Sequence, residues 1–178
     1  MNVIKQLSEN QVILVLVPSM QYNDTILEVT KSLSKKKVCY VTLNKTFDSL
    51  KEIFKKNNVT MDNVIFIDAI SKTFKKTPDQ TKDCYYVSSP GALTELSIQI
   101  SKVLKHGFDY FIFDSLTNLL IYEKKDSVAK FVSSIINIAR ENKAKSVFFA
   151  LSAKEQQLLI KETSMFVDKV IDISGNKK

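Results

Sequence analysis

A short polar segment follows the first apolar run of the chain and carries residue types that bind anions in α/β proteins. The apolar run covers 12–17, the polar segment covers 18–25, and an amphipathic pattern typical of a helix follows. A turn from a strand into a helix attracts phosphate, because the free N–H groups and the dipole of the helix N-terminus favour negative charge. The segment 18–25 is therefore the first candidate for a phosphate site.

Polar residues also follow the later apolar runs. Lys45 lies just beyond the second run, Asp68 ends the third, and Asp114 and Ser115 follow the run at 110–113. The carboxyl ends of parallel strands meet at one edge of a sheet, and ligands of α/β proteins bind there. A lysine would supply a cation and the Asp-Ser pair would supply oxygen ligands. These side chains must be positioned by the elements that precede them.

The chain alternates between short apolar runs and amphipathic segments with helical spacing. Uninterrupted apolar runs are typical of parallel strands that are covered on both faces. The alternation predicts a three-layer α/β/α fold with a mostly parallel central sheet of about seven strands and helices on both faces. The predicted strands are 12–17, 37–43, 64–67, 84–87, 110–113, 145–151 and, at a sheet edge, 165–173, with a capping box at 152–155 before the last.

Three features of the connections lead to specific expectations. Asp24 is expected to cap the helix after the first strand, and Ser89 to cap a later helix with Pro90 at its first position. The polar segment 71–83 is expected to form an exposed, mobile loop. The apolar segment 119–122 has two alternatives, since it either packs on the sheet or forms an exposed patch for a partner.

Bulk composition limits the class of protein. The 178 residues suit one domain spanning 1–178, and 44% hydrophobic with 25% charged residues is ordinary for a globular chain. No apolar run approaches the roughly 20 residues that cross a bilayer, and the N-terminus lacks a signal-peptide pattern. We therefore expect a cytoplasmic protein with no membrane contact. Cys39 and Cys84 lie in predicted strands without a Cys/His cluster, which predicts buried thiols and no metal site.

The net charge of +7 leaves a nucleic-acid-binding module open as an alternative. It arises from 26 Lys and Arg against 19 Asp and Glu, but Arg140 is the single arginine. Arginine is the usual residue for bidentate contacts with bases and phosphates. The lysines occur as scattered pairs and triplets, so a solvated lysine-rich surface is the favoured interpretation over a nucleic-acid face.

The segment 108–118, which reads FDYFIFDSLTN, resembles the Walker B strand of the RecA/KaiC-like branch of the P-loop ATPase superfamily, an apolar strand that ends in Asp-Ser. The segment 166–173 is similar to the strand that follows the last core helix of that family. The resemblance covers roughly 10–173 and points to an archaeal-type stand-alone KaiC-like protein. It implies a RecA-like P-loop NTPase fold, with ATP bound at the first turn.

The first turn departs from the family pattern G-x-x-x-x-G-K-[ST]. The frame that fits places Pro18 and Asn23 at the glycines, Asp24 at the lysine and Thr25 at the hydroxyl position. Pro18 lacks an N–H, although Asn23 tolerates a left-handed conformation. Asp24 replaces attraction to phosphate with repulsion, which costs several kcal/mol at ~4 Å and an effective dielectric near 20. By capping its own helix, Asp24 would also occupy the donors that a phosphate needs.

The catalytic glutamate that the family carries after its second strand also has no counterpart. That strand ends in Thr42-Leu-Asn-Lys45, and Glu52 lies about two turns into a helix. Asp114 stands where the family has its magnesium-associated aspartate, with Ser115 beside it and Thr25 as a possible hydroxyl ligand. Without phosphate oxygens these groups form a poor magnesium site. The favoured role of Asp114 is to hold the sheet edge through hydrogen bonds.

These residues lead to an expectation of a non-catalytic RecA/KaiC-like domain, a pseudo-ATPase that acts as a regulatory or protein-interaction module. We expect no cofactor and no metal, protein rather than nucleic acid as partner, and a monomer or homodimer. The vestigial nucleotide site comprises Pro18, Asn23, Asp24, Thr25, Lys45, Asp114 and Ser115. One alternative is an ATPase with an unconventional phosphate loop that uses Lys45 as its cation, although Lys45 could instead pair with Asp24. The other alternative is the basic nucleic-acid-binding module.

Overall fold

The computed structural model describes residues 3–153 and 157–174, which form seven strands and seven α-helices. Two short 3-10 turns, Ser19–Gln21 and Ser71–Thr73, follow β1 and β3. The strands are β1 Val12–Val17, β2 Val38–Thr42, β3 Val64–Asp68, β4 Cys84–Tyr86, β5 Tyr110–Asp114, β6 Lys145–Leu151 and β7 Lys169–Asp172. The helices are α1 Val3–Glu9, α2 Tyr22–Leu33, α3 Phe47–Lys56, α4 Leu93–Leu104, α5 Leu116–Tyr122, α6 Lys125–Glu141 and α7 Gln157–Ser164.

All seven strands are parallel and lie in the order β4-β3-β2-β5-β6-β1-β7. The predicted α/β fold class is confirmed, and the sheet is entirely rather than mostly parallel. Alternate side chains of each strand enter opposite cores: Val12, Leu14 and Leu16 pack on one face, and Ile13 and Val15 on the other. This is why the strand runs are apolar without interruption.

The helices divide between the two faces of the sheet. α1, α2 and α3 contribute to one core through residues such as Leu7, Ile26 and Phe54, all at most 5% exposed. α4, α5, α6 and α7 contribute to the other core through residues such as Leu96 and Val132. The three-layer α/β/α arrangement predicted from the alternating pattern is therefore present.

The strand register brings the residues that follow β1, β2, β5 and β6 to one edge of the sheet. Thr42 lies opposite Asp114 across the β2–β5 pair, and Asp114 lies opposite Phe149 across the β5–β6 pair. Val17 pairs with Leu151 at the end of β1. The carboxyl edge of the sheet thus collects the candidate residues from distant parts of the sequence.

The first helix, α1, was not predicted. It is about two turns long, and its buried residues are Val3 and Leu7. Lys145 Nζ donates to the carbonyls of Leu7 and Ser8, which satisfies the C-terminus of the helix from β6. A helix this short has little intrinsic stability, so its packing and this tertiary cap hold it in place.

Two helix starts differ from the predictions. α2 begins at Tyr22 with Gln21 as N-cap, so Asp24 lies inside the first turn and makes no cap hydrogen bond. α4 begins at Leu93 rather than after Ser89, because the Ala92 N–H donates to the Ser89 carbonyl at 3.1 Å and closes a turn first. Both predictions relied on residue type, whereas α2 begins two residues before Asp24 and Ser89 lies in the turn that precedes α4.

The segment 71–83 is more structured than an open loop. Lys72 forms an ion pair with Asp79 at 2.7 Å, and Lys75 forms one with Asp48 at 2.6 Å. Gln80 and Tyr85 form an isolated antiparallel bridge, which covers the outer edge of β4. These contacts fold 71–83 back onto the sheet edge.

The apolar segment 119–122 lies in α5 rather than in an irregular connection, and it is buried on one side and exposed on the other. Leu119 is fully buried, whereas Ile121 is 74% exposed. The last predicted strand shortens to Lys169–Asp172 and lies at the sheet edge as expected. The capping box at 152–155 falls partly outside the described residues. In 3–153 and 157–174 no helix is both long and apolar enough to cross a bilayer.

The packing of α1 can be tested by truncating Leu7, which is 1% exposed. Leu7→Ala should lower the free energy of unfolding by about 2–5 kcal/mol, because the substitution removes buried methyl groups and leaves a cavity. Urea denaturation followed by circular dichroism measures this loss. The control is Ile121→Ala, at an exposed position of α5, which should change the free energy of unfolding by less than about 0.5 kcal/mol. Equal losses would contradict the docked position of α1.

Candidate functional site

The side chain at the centre of the carboxyl edge is Asp114, the last residue of β5. It is 2% exposed. The Tyr22 hydroxyl donates to its Oδ1 at 2.7 Å, and the Tyr40 hydroxyl donates to its Oδ2 at 2.7 Å. Each carboxylate oxygen therefore has a phenol donor within the protein. A buried carboxylate is tolerated only when it is satisfied in this way.

Three elements position this group. Asp114 ends β5, Tyr40 lies within the neighbouring strand β2, and Tyr22 is the first residue of α2. Tyr40 also packs against Phe54 and Phe66, whose ring centroids are 6.0 and 5.4 Å from its own. Tyr22 contacts the ring of Phe149 edge-on at 6.5 Å. The phenols are thus aromatic core residues whose hydroxyls point at one carboxylate.

The electrostatics follow from burial. Burial raises the pKa of Asp114 above its usual value, while the hydrogen bonds from Tyr22 and Tyr40 and the charge of Lys45 oppose that rise. The pKa values of Tyr22 and Tyr40 are raised well above the ordinary phenol value, first by burial and then by the charge of Asp114. Both phenols therefore stay protonated at neutral pH and act as donors.

The turn between β1 and α2 is closed by its own backbone. Pro18 is extended, with φ −61° and ψ 144°, and the Gln21 N–H donates to its carbonyl at 2.9 Å. The Tyr22 N–H donates to the Ser19 carbonyl. Positive φ values in the described residues occur only outside the turn. A backbone anion nest needs successive free N–H groups in alternating right- and left-handed conformations, and 18–25 lacks this arrangement.

Asn23, Asp24 and Thr25 all lie in the first turn of α2. The left-handed conformation considered for Asn23 is therefore wrong. Asp24 and Thr25 line a groove of about 250 Å³ beside Val3 of α1, rather than the cavity at Asp114. The negative charge of Asp24 still interacts favourably with the helix dipole, since acidic residues stabilise the first turn of a helix. The structure thus separates Asp24 and Thr25 from Asp114.

Lys45 and Asn23 lie on the Asp114 side of α2. Lys45 Nζ donates to Asn23 Oδ1 at 2.9 Å, and both residues line a cavity next to Asp114. Within the described part of the chain, Lys45 and Asp24 form no ion pair. The cavity has a volume of about 30 Å³, which is roughly the space of one water molecule. A triphosphate does not fit there.

Ser115 interacts with the Tyr22 hydroxyl and also belongs to a second network. Its Oγ donates to Asn118 Oδ1 at 2.9 Å, and Asn118 Nδ2 donates to the Leu43 carbonyl at 2.9 Å. The Leu43 N–H in turn donates to the Asp114 carbonyl at 2.6 Å. Thr117 Oγ1 accepts from the Leu151 N–H at 2.8 Å. These bonds join the ends of β2, β5 and β6 to the start of α5.

Asp68, at the end of β3, is also closed internally. It is fully buried, and its two oxygens accept from the N–H groups of Phe47, Ile70 and Ser71 at 2.6–2.8 Å. The Ser71 hydroxyl adds a fourth bond at 2.6 Å. Asp68 therefore fixes the start of α3 and the turn after β3.

The residues do not fit magnesium and a nucleotide. Both oxygens of Asp114 accept hydrogen bonds from phenols, Thr25 lines another groove, and the N–H groups of Gln21 and Tyr22 are paired. Magnesium in a nucleotide site is held by one or two protein oxygens together with water and phosphate, and here the strand-end carboxylate is already used by the two phenols. In the described residues, no group of three or more His, Cys, Asp or Glu side chains could hold a metal ion.

Sequence reasoning missed the two phenols as partners of Asp114. By residue type and position, Tyr22 and Tyr40 are expected to be core or rim aromatics, which describes their rings but not their hydroxyls. A usable signal was present: Tyr40 precedes the end of a buried strand by two residues, and Tyr22 is at the start of the helix after β1. A buried tyrosine needs a hydrogen-bond partner, and the strand-end aspartate is the nearest buried acceptor.

The fold places the chain in a known structural class. It is similar to the crystal structure of a KaiC-like protein from the hyperthermophilic archaeon Pyrococcus horikoshii OT3, with a TM-score of 0.61. The two chains are 13% identical, and the similarity covers 94% of this chain and 74% of the other. At this identity the similarity shows the fold alone, which is RecA/KaiC-like.

The chain belongs to the family of unknown function DUF7090, whose profile matches residues 3–178. No curated protein matches the sequence.

The raised pKa of Asp114 predicts a specific pH dependence of stability. The folded protein binds the Asp114 proton more tightly than the unfolded chain, so this carboxyl makes stability fall as the pH rises through its unfolded and then its folded pKa. Asp114→Asn lacks this titration. Its free energy of unfolding relative to the wild type should therefore increase from about pH 4 towards neutral pH. Urea denaturation over a pH series measures it.

Asp168 provides a control of opposite sign. Burial opposes its ionisation, but hydrogen bonds from Arg140 and from the N–H groups of Val12 and Gln11 outweigh burial and lower its pKa. Its stabilising effect is present above the unfolded pKa and is lost as the pH falls through the folded pKa. The free energy of unfolding of Asp168→Asn, relative to that of the wild type, should therefore decrease as the pH rises. The same sign for both variants would contradict the buried-carboxylate description of Asp114.

Proposed function

We propose that this protein is a RecA/KaiC-like domain that works without binding or hydrolysing a nucleotide and acts as a protein-interaction module. One observation carries the proposal: both oxygens of the strand-end carboxylate, Asp114, accept hydrogen bonds from the phenols of Tyr22 and Tyr40. In a nucleotide site of this fold, that edge of the sheet would have to be open to phosphate and metal.

The closed turn supports the same conclusion. The 3-10 turn Ser19–Gln21 leads directly into α2, and the donors at its end are paired with the carbonyls of Pro18 and Ser19. Opening this turn for an anion would break these bonds and move Tyr22 away from Asp114. Losing a hydrogen bond to a buried charged group costs about 1.5–3 kcal/mol, so the closed form is favoured.

Exposed apolar side chains support the protein-interaction part of the proposal. Large apolar residues lie on the surface of several helices, including Ile98 on α4 and Ile121 on α5. Single exposed apolar residues are ordinary on a protein surface, but those that line a groove mark sites for partners. The position of Ile98 meets that condition.

Nucleotide binding can be tested directly with a fluorescent ATP analogue and Mg²⁺. Fluorescence anisotropy should show no saturable binding up to about 1 mM protein. A dissociation constant of about 1 mM, equivalent to a binding free energy of about −4 kcal/mol, is the weakest affinity of interest. The reason for the lack of binding is that the N–H groups of Gln21 and Tyr22 are already paired and both oxygens of Asp114 already accept hydrogen bonds. Asp114→Ala should behave in the same way as the wild type.

The opposite result would identify an active site of unconventional design. Micromolar affinity that drops in Asp114→Ala would remove the proposal. So would phosphate release above the blank that is lost in Thr25→Ala or Asp114→Asn. Lys56→Glu, a charge change at the exposed C-terminus of α3, separates a general electrostatic effect from one at the site.

A further inference from the structure

A groove of about 600 Å³ runs along α4, where this helix packs against α6. Ile98 and Ile138 form its apolar part, and Ile98 is 60% exposed. The small side chain of Ser101 lies between Ile98 and the end of the helix. Ile98, Ser101 and Lys105 are spaced by three and four residues, so they share one face of α4. The groove is therefore a continuous stripe rather than isolated exposed residues.

The charged residues that line this groove are basic. They are Lys102 and Lys105, with His106 beside them, and among the described residues that line the groove none is acidic. Lys102 Nζ lies 5.3 Å from the centre of the Tyr85 ring, and His106 Nδ1 lies 2.9 Å from the Lys102 carbonyl. Cations at a helix C-terminus also favour the helix dipole, which explains their presence without a ligand. The dipole does not explain exposed isoleucine beside them.

We propose that this groove binds an acidic amphipathic helix from a protein partner. Such a helix would place its apolar residues, spaced by three and four, against Ile98 and Ile138. Its Asp and Glu side chains would then face Lys102 and Lys105, which gives the charge complementarity that selects partners and fixes register. The inference rests on the proposed function and adds the surface and the chemistry of the partner to it.

The lining favours a peptide over a nucleic acid. Sites for single strands use aromatic side chains on which bases stack, and this groove offers branched aliphatic side chains. Arginine is the preferred residue for phosphate and base contacts. The single arginine of the chain, Arg140, is held by Asp168 at 2.6 Å. Exposed lysines beside isoleucine instead complement a helix that carries carboxylates next to an apolar face.

A displayed library of helical peptides tests the proposal. Peptides of about 15 residues give about four helical turns, enough to span the groove. The library is selected on the wild type and counter-selected on the double variant Ile98→Glu/Lys105→Glu, in which two exposed side chains are changed and the core is left intact. The enriched peptides should be acidic, with apolar residues spaced by three and four.

The enriched peptides should bind the wild type at least about tenfold more tightly than the double variant, measured by anisotropy. Lys56→Glu is the control, since it repeats the Lys105→Glu charge reversal at the exposed C-terminus of another helix. It should bind like the wild type. The proposal is wrong if no peptide is enriched, if the enriched peptides are basic or neutral, or if the double variant binds them equally.

A single-stranded DNA oligonucleotide separates the other class of partner. DNA binding that is lost in the double variant, without peptide binding, would overturn the proposal in favour of a nucleic acid. The ATP-analogue titration is run on the same preparations. A failed peptide selection with no nucleotide binding removes the groove proposal alone, whereas nucleotide binding that depends on Asp114 removes the proposed function.

Discussion

The rest of the carboxyl edge of the sheet depends on the pairing of one buried carboxylate with two phenols. Asp114 comes from β5, Tyr40 from β2 and Tyr22 from α2, so one group holds three elements together. A buried carboxylate costs several kcal/mol unless it is hydrogen-bonded, so each phenol is required where it stands. The start of α2 is fixed by this requirement, and the turn before it has to be short.

The same constraint shapes what the protein can do. In a RecA/KaiC-like fold the carboxyl edge is where strand-end residues gather, and ligands of α/β sheets bind there. Here the residues that gather satisfy one another: Asp114 is closed by phenols, Asp68 by backbone N–H groups and a hydroxyl, and Ser115 by Asn118. An edge of this kind adds rigidity to the fold. The proposed recognition of partners uses the outer faces of the helices, where apolar and basic side chains are exposed.

Much of the fold was predictable from the sequence, and the failures have physical causes. Strand runs such as 12–17 and 145–151 were correctly placed, because a strand buried on both faces carries apolar residues at most of its positions. α1 was missed because a seven-residue helix is held by packing and by Lys145, neither of which has a local signal. Asp24 and Ser89 were assigned as caps by residue type, while the actual helix starts were set by turns that precede α2 and α4. At the candidate site, the position of Asp114 at a strand end was predictable, but its hydrogen-bond partners lie 92 and 74 residues away in the sequence.

The sequence by itself determined the α/β class, the strand positions and the absence of a glycine-rich phosphate loop after β1, because residue type and spacing decide these locally. It also placed Asp114 at a strand end. Only the tertiary structure decided what that aspartate does, since the choice between a metal ligand and a hydrogen-bond acceptor depends on which distant hydroxyls reach it. It likewise decided that Thr25 faces α1 rather than Asp114, because the starting residue of α2 sets the direction of every side chain on that helix. The closure of the carboxyl edge by its own hydrogen bonds is therefore a result of packing. The residue types at this edge would by themselves also be compatible with an open site.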